Sequence, residues 1–192
     1  MDEFLLFFIS IMVLFCIFHK VNHAKHILKL QSSVDNRIYI VRKELNAQEA
    51  ADKLARINQK IINLLTYFRQ GNYMTSDIKR LSDKYNPNQL SETLPGSKYT
   101  SYSVNKGEQI SLCIRHSDNT FIDDNTVIFV LLHELAHIMT TSVGHTKEFW
   151  DNMKYLLEQG EILGIYKPVD YSENPVNYCG MIINSSPYDF KK

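Results

Sequence analysis

The chain has 192 residues, enough for one domain with its own core once a hydrophobic N-terminus is set aside. Its 21 Lys plus Arg balance 21 Asp plus Glu, which excludes a long-range field of one sign that would steer it to nucleic acid or to anionic lipid. The three cysteines, Cys16, Cys113 and Cys179, form no C-x-x-C pair; so sparse and odd a count fits a reducing compartment better than a disulfide framework, with a Cys113 to Cys179 bridge as the alternative.

Phe4 to Phe18 reads FLLFFISIMVLFCIF, interrupted only by Ser10. Roughly 17 to 25 residues cross a bilayer, so a helix extended to Val21 is expected to act as a single-pass anchor meeting the membrane through residues 4–21. The acidic start at Asp2 and Glu3, and the lack of an A-x-A-like site in His19-Lys20-Val21-Asn22-His23, argue against a cleaved signal peptide; a buried core helix is the other alternative. Lys20, Lys25, Lys29 and Arg37 follow the apolar run, a bias that places the remaining chain on the cytoplasmic side of its membrane.

The helix could continue over 19–30, and the polar group 31–36 reads as a break. The expected organisation is an anchor over 1–22, a juxtamembrane linker over 23–41 and a folded domain over 42–192. Within 42–70, Leu45, Ala50, Leu54, Ile57, Ile61, Leu64, Leu65 and Phe68 recur at helical spacing, with Gly71 and Asn72 as stop signals. A shorter helix is predicted over 76–84, then a loop at Asn86-Pro87-Asn88 and a turn at Pro95-Gly96. Residues 99–104 and 109–115 flank Asn105-Lys106-Gly107-Glu108, and the alternation of Ile110, Leu112 and Ile114 with polar residues predicts a β-hairpin with one buried face. Asp123 or Asp124 can cap a helix over 125–141, and Thr146 another over 147–159 with Gly160 at its end; the tail to Lys192 shows no periodic signal.

The first of these helices contains His133-Glu134-Leu135-Ala136-His137. Histidines at i and i+4 share a helix face and can reach one zinc ion, while the intervening glutamate can take the proton from a water that attacks a peptide bond. A catalytic zinc site needs a third protein ligand. His145 is the first choice, because Gly144 before it can turn the chain back and Thr146 after it starts a helix; Glu148 and His116 are the rivals. Phe149 and Trp150 fit core packing better than substrate contact. Tyr102, Tyr166, Tyr171 and Tyr178 are candidates to stabilise an oxyanion, and Cys179 could occupy the metal as a thiolate, although an ordinary buried or free thiol is the simpler role.

The runs Asn105 to Arg115, Leu131-Leu132-His133-Glu134-Leu135-Ala136-His137 and His145-Thr146-Lys147-Glu148-Phe149-Trp150 resemble, in order, the motifs of the WLM family of zinc proteases. That resemblance implies an α+β zincin-like core, a small antiparallel or mixed sheet packed on the H-E-x-x-H helix. It also implies one zinc held by His133, His137 and His145, with Glu134 as the catalytic acid/base. By the same resemblance, the strand near 109–115 lies along the cleft, where an extended substrate could add by β-pairing. Seven residues separate His137 from His145, where family members commonly have five. Similar domains occur in large DNA viruses, and the Asn, Ile, Lys and Tyr richness would suit an AT-rich genome, the membrane then being a host or viral one.

The leading expectation is a membrane-anchored zinc endopeptidase acting on proteins or peptides. One alternative is a DNA-stimulated protease of DNA-crosslinked proteins, as cellular relatives are, although the charge balance gives nucleic acid no support. The other is a non-catalytic membrane or virion interaction protein that keeps a zincin fold.

Overall fold

The structure, a computed structural model, describes residues 2–24, 26–71, 73–105 and 107–188. Lys25, Asn72 and Lys106, invoked above as charge, stop signal and turn, lie outside the described residues, as do the last four of the tail.

Helix α1 (Asp2–Ala24) carries the N-terminal apolar run and leaves its side chains from Phe4 to Phe15 exposed. Among the described residues no helix is long and apolar enough to cross a membrane. The physical reason is length. The run of fifteen residues from Phe4 to Phe18, Ser10 included, rises about 22 Å as a helix, against a hydrocarbon core of roughly 30 Å, and the helix then runs into His19, Lys20, Asn22 and His23. The expected single-pass anchor over 1–22, the membrane contact through 4–21 and the placement of the domain beside a membrane are therefore corrected.

The stretch 23–41 is not a linker. Residues Ile27–Gln31 form β1 and Ile38–Arg42 form β2, paired antiparallel with Leu30 opposite Tyr39. β-branched and aromatic side chains favour the pleated conformation, and Tyr39 and Val41 turn one face of β2 into the core at 1% and 0% exposure. The polar group read as a break is the turn between the two strands, with Asn36 at φ +60 and the Ser32 N–H donating to the Arg37 carbonyl at 2.9 Å. Helix α2 (Ala47–Gln70) consequently starts five residues later than predicted, and Leu45 is fully exposed ahead of it. Its apolar face from Ala50 to Phe68 is buried as the spacing predicts. Two polar residues share that face: Lys53 pairs with Asp124, and Asn58 donates to the Tyr39 hydroxyl and the Pro87 carbonyl, both at 2.7 Å, and accepts from the Tyr85 hydroxyl at 2.6 Å, so its burial leaves no amide atom unmatched.

Helix α3 (Ser76–Lys84) follows, capped by the Thr75 hydroxyl, then β3 (Leu90–Glu92), β4 (Tyr102–Val104) and β5 (Gln109–Leu112). The five-stranded sheet has the order β1-β2-β3-β5-β4; β3 runs parallel to both neighbours and the outer pairs are antiparallel. The predicted hairpin is β4–β5. Just beyond β5, Arg115 is fully buried and donates from Nε to Glu92 Oε1 at 2.7 Å. Glu92 also accepts from the Arg42 N–H at 2.8 Å, so one carboxylate ties β2, β3 and the end of β5 together.

Helix α4 (Asp124–Met139) begins at Asp123, whose carboxylate accepts from the Thr126 N–H, and α5 (Lys147–Ile162) begins at Thr146, which accepts from Phe149. Gly160 lies inside α5 rather than ending it. A side chain there would meet Tyr166 Cβ at 3.3 Å and Leu132 Cδ1 at 3.5 Å, so the glycine allows a close approach to α4 and the tail. The tail contains a second sheet, the hairpin β6 (Val176–Tyr178) and β7 (Met181–Ile183), turned by Cys179 and Gly180, both at positive φ. A disulfide joins Cys113 to Cys179, correcting the expectation of unpaired thiols and removing Cys179 as a metal ligand.

Candidate metal centre

The cap at Asp123 sets the phase of α4, and that phase puts His133 and His137 one turn apart on the face left open by the core. Leu131, Leu132, Leu135 and Ile138 occupy the buried face at 0% exposure. His145 reaches the same place from the segment before α5. Nitrogens of the three imidazoles lie within 4.8 Å of one another, and the Nε2 atoms of His133 and His145 are 3.2 Å apart. Two nitrogens bound to one tetrahedral zinc at about 2.0–2.1 Å each would stand about 3.3–3.4 Å apart, so the donor set and its spacing fit this ion. Burial first, then the neighbouring His137 and His145, push the His133 imidazole down to about 3, which keeps it in the neutral form a metal needs.

Phe149 is the floor of this cluster. It is fully buried, and its ring lies 4.9, 4.3 and 4.7 Å from the centroids of His133, His137 and His145. The core role expected for Phe149 is what the structure shows. Trp150 differs, since it is 40% exposed and stacks on His145 at 5.4 Å.

Glu134 projects beside the histidines and is itself buried. Desolvation raises its carboxyl to about 7, opposed by hydrogen bonds donated from the Ser103 hydroxyl and backbone N–H. Ser103 lies in the middle of the edge strand β4 opposite Ile110, whose N–H bonds the Gln89 carbonyl on the other side, so the Ser103 N–H points away from β5 and reaches Glu134. β5, which the resemblance places along the cleft, lies instead between β3 and β4; the free edge belongs to β4. The cleft itself, about 340 Å³, is walled by Ser101, Tyr102 and Ser103 on one side and by Ser142, Val143 and Gly144 on the other, with Glu134 and His137 at its base.

The rival ligands stand elsewhere. His116 belongs to the turn after β5, where its N–H bonds the Thr120 carbonyl, and Glu148 is occupied by backbone and hydroxyl donors of the 141–142 segment. Of the four tyrosines, Tyr166 and Tyr171 pack against Phe129 in the core, whereas Tyr102 lines the cleft. Tyr178 is fully buried, its hydroxyl 2.7 Å from Ser101 Oγ, and the nearby Glu134 charge is among the causes that raise it above the ordinary tyrosine range, after burial. Ser101 in turn accepts from the Cys113 N–H at 3.1 Å, so the disulfide-tethered tail buttresses the cleft wall from behind. Neither Ser103 nor this buttress was foreseen. Only the hairpin pattern around residue 103 hinted at a strand there.

Residues 75–174 match the WLM domain, just over half of the chain. The chain belongs to the WLM-domain family. The match begins at the α3 cap and takes in both histidine-bearing segments, while β1, β2 and α2 lie before it. An uncharacterised protein of Acanthamoeba polyphaga mimivirus is 35% identical over 160 residues, which is 81% of each chain. A second uncharacterised protein, from Invertebrate iridescent virus 6, is 41% identical over 83 residues, 41% of this chain and 44% of that one. These relatives come from large DNA viruses, in line with the resemblance. Among solved structures, Wss1 from Saccharomyces cerevisiae superposes with a TM-score of 0.49 at 21% identity, covering 65% of this chain and 87% of that one.

Proposed function

We propose that this chain is a zinc-dependent endopeptidase in which His133, His137 and His145 hold the metal and Glu134 is the general acid/base. The observation that supports it is the convergence of three imidazole donors, within 4.8 Å of one another, beside a buried carboxylate at the base of an open cleft. When bound, zinc supplies a Lewis acid that lowers the pKa of water toward about 7 and polarises a carbonyl.

The chain's own residues do the rest. Glu134, raised to about 7, is poised near neutral pH to accept a proton from the attacking water and pass it to the leaving amine. The two hydrogen bonds from Ser103 fix the carboxylate in that position. The outer edge of β4 pairs with no further strand among the described residues, and with the Ser103 N–H engaged by Glu134 an extended polypeptide can lie along that edge while its side chains settle in the cleft. Tyr102, the one of the four tyrosines that lines the cleft, is the oxyanion donor in this reading.

The test uses the full chain: zinc content, and cleavage of itself and of an unfolded protein, for wild type beside Glu134→Gln. Stoichiometric zinc in both proteins, with cleavage lost in the Gln variant, is the expected result. Equal cleavage by the two proteins removes the role of Glu134; zinc without cleavage in either favours a non-catalytic zincin; and absence of zinc overturns the reading.

A further inference from the structure

The segment between α4 and α5 faces a steering problem. His137 lies in the last turn of α4 and His145 directly precedes the cap of α5, so residues 138–144 must leave one helix, reverse, and deliver a third imidazole to the first two. Thr140 ends α4 in extended backbone, with its hydroxyl accepting from Asn152 Nδ2 at 3.0 Å. Beyond it, Val143 is 88% exposed and Gly144 turns at φ +85 into open space, so packing at the tip does little to fix the turn.

Glu148, in the first turn of α5, supplies what packing does not. Its Oε1 accepts from the Thr141 N–H and the Thr141 hydroxyl, both at 2.8 Å. Its Oε2 accepts from the Ser142 N–H at 3.1 Å and the Ser142 hydroxyl at 2.7 Å. The Ser142 hydroxyl also lies 2.7 Å from Thr146 Oγ1, the atom that caps α5. One carboxylate thus bonds two successive residues of the turn, through main chain and side chain alike, to the helix that carries His145 at its threshold.

We propose that Glu148 is a positioning residue for the third histidine, holding the 141–142 segment against α5 so that His145 is presented to His133 and His137 before a metal arrives. The inference rests on the metal-site reading above and deepens it. An unclamped turn would have to lose its conformational freedom when the ion binds, and that cost would appear as weaker affinity. The same four donors fill the carboxylate's acceptor positions, which keeps Glu148 from competing as a ligand itself.

The experiment is a zinc titration by chelator competition together with the visible spectrum of the cobalt(II) form, on the full chain. It compares wild type, Glu148→Gln, Glu148→Ala and His145→Ala, with thermal melts of each metal-free protein. Residues that orient a ligand from outside the coordination sphere typically change affinity by about 10- to 100-fold, so Glu148→Ala should bind zinc about 10- to 100-fold more weakly, with a cobalt spectrum moved toward that of His145→Ala. Glu148→Gln keeps one acceptor oxygen for Thr141 and should fall between. Wild-type affinity and spectrum in Glu148→Ala overturn the proposal, whether or not its metal-free melt is lowered, because a lowered melt alone marks a merely structural role. If Glu148→Ala does not fold, Glu148→Gln decides on the same two readouts. Failure of the wild type to take up either metal overturns the metal-site reading and this inference with it, and the wild-type titration alone tells that case apart.

Discussion

Phe149 and Glu148 bear on the centre from opposite directions, one by packing beneath the imidazoles and the other by bonding the turn that delivers one of them. Truncating a fully buried phenylalanine typically costs about 3–5 kcal/mol, and Phe149→Ala should destabilise the metal-free protein by that order in urea denaturation while also loosening all three histidines. Glu148 has a pH signature. The Thr141 N–H first, then the Ser142 and Thr141 hydroxyls, lower its carboxyl from an ordinary 4.5 to about 2. A carboxyl whose folded pKa is depressed contributes stability that is fully present above its unfolded value and is lost as pH falls through its folded one. The melting-temperature gap between metal-free wild type and Glu148→Gln should therefore be constant near neutrality and narrow below about pH 4.5; a gap that stays constant in acid would show that the charge of Glu148 is not what holds the turn. At this scale the sequence was partly legible. His133, Glu134 and His137 declare themselves by spacing alone, because an α-helix converts i, i+4 into one face. Glu148 was visible only as a rival ligand, since no local pattern shows Thr141 and Ser142 folding back onto it, and Ser103 carries no motif at all.

Elements were readable where periodicity and caps agreed. α4 and α5 each start at a side-chain cap that the sequence displays, Asp123 and Thr146, and the β4–β5 hairpin shows its alternation. β3, β6 and β7 are three residues each, too short to establish a period, and β1 and β2 were obscured by the apolar run before them. Pairing between β1 and β2 has a direct consequence for where the folded unit begins. Leu28 and Leu30 of β1 pack against the core, so a chain starting at Gln31 should unfold at lower denaturant than one starting at His26, whereas removal of α1 alone should leave the midpoint near that of the full chain. Equal midpoints for the two truncations would mean that β1 adds nothing to the sheet. The disulfide is the other feature hidden from the sequence, since two cysteines 66 residues apart carry no spacing signal. Closing a loop of that length typically stabilises by about 2–4 kcal/mol. Reductant, or Cys113→Ser, should lower stability by that order, and should lower cleavage as well if the tail supports the cleft wall through Tyr178 and Ser101.

For the molecule as a whole, the balance of 21 cationic and 21 anionic side chains governs what the cleft can recruit. A protein that neutralises several phosphates loses affinity steeply with salt, because each contact releases condensed counterions. A chain with no net charge has only local contacts to offer, and the cleft described here presents serines, a tyrosine, a glutamate and a histidine rather than lysines and arginines. In the proposed reading, recognition along the outer edge of β4 relies on backbone hydrogen bonds, which tolerate salt and read an extended polypeptide whatever else is attached to it. Glu134-dependent cleavage of an unfolded protein should therefore be unchanged by single-stranded DNA, and should vary little between about 50 and 200 mM salt, the range over which phosphate-dominated binding falls by orders of magnitude. Acceleration by DNA that fades across the same range would reveal a basic track beside the cleft, and would make DNA-crosslinked proteins the first substrates to try.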